Sequence, residues 1–205
     1  MGGQTKKEYR LIGGMPVLAR AVLPFLAAGF SPVIVTIPAG HAEEAAALLR
    51  PHISLDAVRF VQGGGTRQES VFLGLRSLEG DAPRIVLIHD GARPWVSAEL
   101  ALRVAAAAEI HGACVPVTEA TEAVKEIGQS GMILRHLRRP TIRFAQTPQG
   151  FHFDRILDAH RKAREAGARC VDDGEVFELF AGPVAWVPGD PDNRKITRER
   201  DLEGA

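Results

Sequence analysis

Apolar and polar residues alternate along this chain in blocks of two kinds, short apolar runs and longer segments of helical period. Short apolar runs are typical of buried parallel strands, and a period of about 3.6 residues predicts helices. The predicted strands are 33–37, 57–61, 84–89, 113–117, 184–187 and 194–197. The predicted helices are 16–28, 42–49, 68–78, 97–110, 153–166 and 173–180. This alternation predicts an α/β fold with a doubly wound, mostly parallel sheet of Rossmann-like type.

Residues 118–146 interrupt this regular pattern. Acidic and basic residues mix there, and Gly128 and Gly131 bracket a turn. We interpret the segment as a protruding arm of short antiparallel strands that packs on a second subunit. Because no linker, repeat or low-complexity segment divides the chain, residues 1–205 are predicted to form a single domain. Packing of the arm on a second subunit would make it a homodimer.

Composition narrows the range of partners. Lys+Arg and Asp+Glu both number 25, so no overall electric field favours nucleic acid or a membrane surface. Three prolines interrupt the apolar stretch between Met15 and Ile37, which excludes a membrane span there. Cys114 and Cys170 lack the spacing of metal ligands, and the polar N-terminus does not resemble a signal peptide. We therefore expect a cytoplasmic protein.

The first candidate site follows the predicted strand 84–89, where the chain reads His-Asp-Gly-Ala-Arg-Pro. Ligands of open α/β sheets bind beyond the carboxyl ends of the strands. Asp90 there suits a metal ion or a hydroxyl group, and Arg93 suits a phosphate oxygen. The structural alternative is an Asp90–Arg93 pair that only stabilises the turn.

A second candidate is the glycine-rich loop Gly63-Gly64-Gly65, which precedes a helix carrying Arg67 and Ser70. Glycines allow a ligand to approach backbone N–H groups closely, and a helix start favours an anion or a polar ring. The alternative is an ordinary turn with Thr66 as the helix N-cap. The loop lacks the Gly-Lys-Ser/Thr ending of a phosphate-binding P-loop.

Three further groups carry positive charge. Lys195 lies in Asp-Asn-Arg-Lys-Ile-Thr and suits a phosphoryl oxygen, although it would also fit a solvated strand edge. Lys6 and Lys7 fit a solvated chain end. Four arginines within nine residues precede Gln-Thr-Pro-Gln, and either a salt-bridged surface or a phosphate-bearing substrate explains them. These arginines are Arg135, Arg138, Arg139 and Arg143.

Taken in order, these motifs resemble one known family over essentially the whole chain. They read Lys-Lys-x-Tyr, Gly-Gly-x-x-Arg-x-x-Ser-Val, His-Asp-Gly-Ala-Arg-Pro, Ala-Gln-Thr-Pro-Gln and Asp-Asn-x-Lys-Ile-Thr. The family is that of the 2-C-methyl-D-erythritol 4-phosphate cytidylyltransferases of the non-mevalonate isoprenoid pathway. The resemblance implies cytidylyl transfer from CTP to methylerythritol phosphate with Mg²⁺ as cofactor and release of pyrophosphate.

The resemblance also implies a role for each matching residue. It assigns catalysis to Lys7, Arg139 and Lys195, and the alcohol phosphate to Arg93, Thr147 and Thr197. It assigns the nucleotide to Gly64, Arg67, Ser70, Asp90 and Gly91, with Asp90 also the expected metal ligand. The arm that carries Arg139 is expected to reach the neighbouring subunit's site.

The chain departs from the family pattern in three places. The family's first strand and Ala-Ala-Gly-x-Gly-x-Arg-Met loop would precede Met1, so we expect a polypeptide that starts at Met1 to lack a phosphate loop. Val171 stands where the family usually has Thr, and residues 118–125 are about two residues longer than usual. The alternatives are a cytidylyltransferase for another alditol phosphate, such as ribitol 5-phosphate, or a non-catalytic nucleotide-binding relative.

Overall fold

The computed structural model describes residues 7–202, where strands and helices alternate as predicted. The strands are β1 (Leu11–Ile12), β2 (Met15–Pro16), β3 (Val33–Ile37), β4 (Val58–Gln62), β5 (Ile85–Ile88), β6 (Ala113–Glu119), β7 (Lys125–Ile127), β8 (Ile133–His136), β9 (Arg143–Ala145), β10 (Gln149–His152) and β11 (Ala185–Pro188). The α-helices are α1 (Val17–Ala27), α2 (Ala42–Leu49), α3 (Arg67–Arg76), α4 (Ala98–His111), α5 (Phe153–Glu165) and α6 (Asp173–Phe180). The 3-10 turns are Lys7–Tyr9, Arg139–Thr141 and Glu199–Leu202.

The larger sheet has the strand order β11-β6-β10-β5, and β9 also pairs with β6. β6 and β11 are parallel, whereas β10 runs antiparallel to both of its neighbours. β5 and β6 therefore point in the same direction, and their carboxyl ends open toward one edge of the sheet. β3 and β4 form a separate parallel pair. The predicted α/β class with a mostly parallel sheet is confirmed, and β10 is its inserted antiparallel strand.

An apolar cavity of about 410 Å³ lies between the larger sheet and the β3–β4 pair, with β3 on one side and β5 on the other. Helix α1 contributes to its lining, and so does α3. The lining residues include Leu18, Val22, Phe25, Ile34, Val35, Val71, Leu75, Val86 and Leu87. The cavity thus runs between facing strand edges and is covered by helices.

The core forms on both faces of the larger sheet. Phe151 of β10 packs against Phe177 of α6 with 5.5 Å between ring centroids, in a cluster that also includes residues of α3 and α5. Gly150 is next to Phe151 and therefore faces the opposite side, where its neighbours are Val104 and Ala108 of α4. Helices thus cover both faces of the sheet, as expected for a doubly wound fold.

Polar side chains define the starts of three helices. Thr66, Ser97 and Asp172 are the N-caps of α3, α4 and α6, and each side chain accepts a hydrogen bond from a backbone N–H of the first turn. Helix α1 continues through Pro24 to Ala27. Among the helices of residues 7–202, none has the length and apolar character needed to cross a membrane.

The prediction of a strand at 194–197 is wrong. The segment is irregular, and within residues 7–202 its one backbone hydrogen bond to another segment joins Ile196 N–H to the Ala92 carbonyl at 2.8 Å. The segment is held instead by a side-chain contact, the ion pair between Lys195 and Asp90. The sequence patterns also missed the β1–β2 hairpin and β10. β10 was not predicted, because its sequence Gln-Gly-Phe-His contains a single large apolar residue, Phe151.

The arm at 118–146 contains the predicted antiparallel strands. β7 and β8 form a hairpin, and β9 returns the chain to β6. Three of its apolar side chains are largely exposed: Ile127 at 73%, Met132 at 66% and Leu134 at 65%. Exposed large apolar side chains, where they cluster, are typical of an interaction site.

Gly150 offers a test of the close packing between β10 and α4. A Cβ at this position would lie 2.9 Å from Val104 Cγ1 and 3.0 Å from Ala108 Cβ. We predict that Gly150→Ala lowers the free energy of unfolding by about 1–3 kcal/mol, because the helix would have to shift. Gly80→Ala is the control, since a Cβ there meets no atom within 4 Å. Equal urea midpoints for both variants would contradict the described packing.

Candidate active site

The candidate site is centred on Asp90, which follows the carboxyl end of β5. Arg67 Nε donates to Asp90 Oδ1 at 3.1 Å, and Lys195 Nζ lies 2.7 Å from Oδ2. The Asp90 side chain is 13% exposed. One carboxylate therefore joins the start of α3, the end of β5 and the C-terminal segment.

Two opposing effects set the pKa of Asp90. Burial raises it, but the hydrogen bond from Lys195 and the charges of Arg67 and Lys195 lower it more, to about 2. Burial lowers the pKa of the Arg67 guanidinium, but the carboxylates of Asp173 and Asp90 have the larger effect, so the pKa is raised. The site therefore carries fixed charges of both signs at neutral pH.

Arg93 contributes a third cation to the site. Its Nη1 donates to the Asn193 carbonyl at 2.8 Å, whereas its Nε lies 3.8 Å from Asp90 Oδ2. Burial lowers the pKa of this guanidinium, and among residues 7–202 its buried Nε has no hydrogen-bond partner. The Asp90–Arg93 pair, which was the structural alternative, is thus a loose contact, and Arg93 is held mainly by the Asn193 carbonyl. Gly91 lies between them, where a Cβ would come 3.3 Å from Leu18 Cδ1.

A chain of hydrogen bonds fixes the backbone of Asp90. Its N–H donates to Thr147 Oγ1 at 3.1 Å, and Thr147 Oγ1 lies 3.0 Å from His89 Nδ1. His89 Nε2 lies 3.1 Å from the Arg93 carbonyl, which can only accept. Nε2 therefore carries the proton, and the Thr147 hydroxyl donates to Nδ1. Thr147 is 4% exposed, so in this structure its hydroxyl positions Asp90.

The glycine-rich loop is held closely against the start of α3. The Gly64 N–H donates to Ser70 Oγ at 3.1 Å, and the Gly65 N–H donates to Glu69 Oε2 at 2.9 Å. A Cβ at Gly64 would overlap the Glu69 side chain. Thr66 caps the helix, as the structural alternative stated. Two of the backbone donors proposed for a ligand are thus engaged by side chains of α3.

The structure brings some of the predicted residues together and separates others. Lys7 Nζ donates to the Ile196 carbonyl at 3.0 Å, which places it beside the segment that carries Lys195. Thr197 instead uses its hydroxyl and N–H to bind Asp201. Arg139 lies in the arm and donates to the Thr121 carbonyl at 3.0 Å. The central group is Arg67, Asp90, Arg93, Thr147 and Lys195, whereas Lys6 lies outside the described residues.

Sequence reasoning missed three polar residues of the site. Asp173 is 1% exposed and its Oδ2 lies 2.8 Å from Arg67 Nη2. Asn193 is completely buried, and its Nδ2 donates to the Thr147 carbonyl at 2.7 Å. His89 belongs to the chain of hydrogen bonds at Asp90. Asp173 and His89 are polar residues at the borders of apolar segments, and this position is the sequence signal that could have identified them. Val171, two residues before Asp173, is 87% exposed.

Asp90 is the metal ligand that the family resemblance implies. In the described part of the chain, no group of three or more His, Cys, Asp or Glu side chains is arranged to hold a metal ion. Each Asp90 oxygen already contacts a cationic side chain but keeps further lone pairs. A single carboxylate fits Mg²⁺ that is carried mostly by substrate phosphates and water.

His89 predicts a specific pH dependence of stability. Burial lowers its pKa from 6.5 to about 4, opposed by the hydrogen bond to the Arg93 carbonyl. Between these values only the unfolded chain binds the proton, so lowering the pH decreases the free energy of unfolding, by up to about 3 kcal/mol. The pKa of Asp90 lies lower still, so its contribution is lost only below the ordinary Asp range.

Urea unfolding between pH 7 and pH 4 measures this effect. His89→Gln is expected to flatten the dependence on pH, and His136→Gln, at an exposed position of the arm, is expected to leave it unchanged. The same slope for wild type and His89→Gln would contradict a neutral, buried His89.

Solved structures share this fold. The crystal structure of 2-C-methyl-D-erythritol 4-phosphate cytidylyltransferase from Thermus thermophilus matches with a TM-score of 0.81 and 33% identity, covering 97% of this chain and 91% of that one. The 4-diphosphocytidyl-2C-methyl-D-erythritol synthase from Anaerococcus prevotii matches with a TM-score of 0.87 and 28% identity, covering 97% and 90%.

Sequence relatives point to the same family. The bifunctional enzyme IspD/IspF of Rhodospirillum rubrum is 43% identical over 209 residues, which cover 100% of this chain and 52% of that protein. The bifunctional enzyme IspD/IspF of Rhodopseudomonas palustris (strain BisB18) is 40% identical over 202 residues, covering 98% and 50%. The chain thus spans about half the length of these curated relatives. The family model for IspD, 2-C-methyl-D-erythritol 4-phosphate cytidylyltransferase, matches residues 1–205, and the chain belongs to this family.

Proposed function

We propose that this chain transfers a cytidylyl group from CTP to 2-C-methyl-D-erythritol 4-phosphate, giving CDP-methylerythritol and pyrophosphate. The observation that carries the proposal is the group of cations around Asp90 at the carboxyl end of β5, formed by Arg67, Arg93 and Lys195. Such a group suits substrates that both carry phosphate. Family membership supports this particular pair of substrates.

In the proposed reaction, a phosphate oxygen of methylerythritol phosphate attacks the α-phosphorus of CTP. A new P–O bond forms while the bond from the α-phosphorus to the oxygen bridging the β-phosphate breaks, and pyrophosphate takes that electron pair. Negative charge concentrates on the α-phosphate and the leaving group. Lys7, Arg93 and Lys195 are held in place before substrate arrives, so they stabilise this charge without reorganising.

The nucleotide is proposed to bind at the start of α3. Arg67 and Ser70 would contact the cytidine, with Gly64 and Gly91 allowing close approach. Ser70 Oγ is the hydrogen-bond acceptor of Gly64 N–H, so nucleotide binding and the conformation of the glycine-rich loop are expected to be linked.

Two threonines are proposed to contact the alcohol phosphate. Thr147 and Thr197 already use their hydroxyls inside the protein, the first with His89 and the second with Asp201. Each must therefore exchange or share a hydrogen bond to reach the substrate, which should make its contribution smaller than that of a free cationic side chain.

Mg²⁺ is the proposed cofactor, with Asp90 as its protein ligand. When bound, the ion would neutralise charge on the triphosphate. Around Asp90 and Asp173, three cationic side chains outnumber the two carboxylates, which disfavours a bare cation. Mg²⁺ should therefore enter with CTP.

We also propose a cytoplasmic homodimer in which the arm completes the partner's site. The exposed apolar side chains of the β7–β8 hairpin support a protein–protein contact. Arg139 supports it as well, because it lies in the arm and its hydrogen bond is to Thr121 of the same arm. Cys114 and Cys170 are free thiols, as expected for a reducing compartment.

Pyrophosphate release from CTP and methylerythritol phosphate tests the proposed activity. We expect release when both substrates are present and none with either alone, because the phosphate of one attacks the α-phosphorus of the other.

Two comparisons complete the experiment. Chelation of Mg²⁺ should abolish release, and ribitol 5-phosphate should be a poorer substrate. Preference for ribitol 5-phosphate would support the alternative cytidylyltransferase. Failure to release pyrophosphate with either alcohol phosphate would support the non-catalytic alternative.

A mixing experiment tests whether subunits share a site. We predict that Arg139→Ala and Lys7→Ala variants are each impaired and regain activity when mixed, since one site of each hybrid dimer then has both wild-type residues. Equal mixing with free exchange should restore about a quarter of the sites. No recovery, with exchange verified by tagged subunits, would contradict a shared site.

A further inference from the structure

Asp173 is a buried carboxylate that lies behind the candidate nucleotide site. It is the first residue of α6 and is 1% exposed. An unpaired carboxylate at such a position would be strongly destabilising. Asp173 has two partners, Arg67 Nη2 at 2.8 Å from Oδ2 and His160 Nε2 at 3.2 Å from Oδ1. The contacts with Arg67 and His160 therefore explain how a carboxylate can be buried at this position.

Arg67 is held by two carboxylates from different parts of the fold. Nε donates to Asp90 Oδ1, and Nη2 forms an ion pair with Asp173 Oδ2. Asp173 Oδ2 has no hydrogen-bond partner within residues 7–202, so this second contact is an attraction of charges. The hydrogen bond at Nε sets the direction of the guanidinium plane, and the ion pair holds Nη2 against the buried carboxylate. These two ion pairs do not engage Nη1, and the Arg67 side chain is 37% exposed, so part of it still faces solvent.

His160 supports Asp173 from the opposite side. It lies on α5 and is 1% exposed. Because a carboxylate can only accept, His160 Nε2 must carry the proton and donate to Asp173. The buried Nδ1 has no hydrogen-bond partner within residues 7–202, so the contact to Asp173 is the polar interaction that orients the ring.

We infer that Asp173 is a positioning residue that holds Arg67 in the orientation in which it binds the cytidine nucleotide, and that His160 in turn holds Asp173. This inference rests on the proposed function, which places the nucleotide at Arg67. A purely structural role for Asp173 would lower stability without acting through Arg67. The two roles therefore differ in how Asp173 and Arg67 variants combine.

The experiment is a double-mutant cycle on CTP affinity, measured by calorimetry on the full chain. Asp173→Asn, which keeps the shape of the side chain, is expected to weaken CTP binding about tenfold. In an Arg67→Ala background the same change should alter affinity by less than about twofold, because Arg67 is no longer there to be positioned. His160→Gln, which retains an N–H donor, should bind CTP better than His160→Phe.

Asp172→Asn is the matched control. This neighbouring carboxylate accepts from Glu175 N–H and Gln149 Nε2, and its contacts do not include Arg67. We expect it to lower the unfolding midpoint and leave CTP affinity unchanged.

A second measurement does not depend on nucleotide binding. The Nε–H signal of Arg67 in a ¹H–¹⁵N spectrum, assigned by its loss in Arg67→Lys, should shift and exchange faster with solvent in Asp173→Asn. A wild type that does not bind CTP would overturn the proposed function. Three results would overturn this inference alone, given that the wild type binds CTP. They are an unchanged CTP affinity in Asp173→Asn, an equal loss of CTP affinity with and without Arg67, or an unchanged Arg67 signal.

Discussion

The position of the Asp90 carboxylate is the constraint on which the candidate site depends. It joins Arg67 at the start of α3 to Lys195 in a C-terminal segment that has almost no backbone pairing of its own. β5 fixes the backbone of Asp90, and Thr147 holds its N–H. The sheet thus supplies the rigid element, and this one side chain ties the start of α3 and the C-terminal segment to it.

Local sequence patterns correctly predicted those strands and helices whose formation depends mainly on their own residues. β3 and α2 have the predicted bounds, since an apolar run and an Ala-Glu-Leu segment need little help from the rest of the fold. β10 depends on its neighbours, because it is a strand only through pairing with β5 and β6. The β-branched residues at 196–197 favoured a strand, but the donors of Thr197 bind Asp201 instead of a sheet.

The candidate site was predictable to a similar extent. A strand end and a helix start were enough to single out Asp90 and Arg67 as separate candidates. The family resemblance assigned both to the nucleotide and assigned catalysis to Lys195. Asp173 could not be placed in this way, because its approach to Arg67 depends on how α5 and α6 pack on the sheet. The orientation of His89 depends likewise on Thr147 and the Arg93 carbonyl.

Charge balance explains why the site needs both of its carboxylates. The chain has as many acidic as basic residues, so attraction of phosphate must arise locally. Three cations held close together without counter-charges would repel one another and destabilise the fold. Asp90 and Asp173 offset most of this repulsion and fix the directions of the cations, while one positive charge remains in excess. The same carboxylates that make the unliganded site stable therefore leave it suited to a more strongly charged ligand, such as a triphosphate.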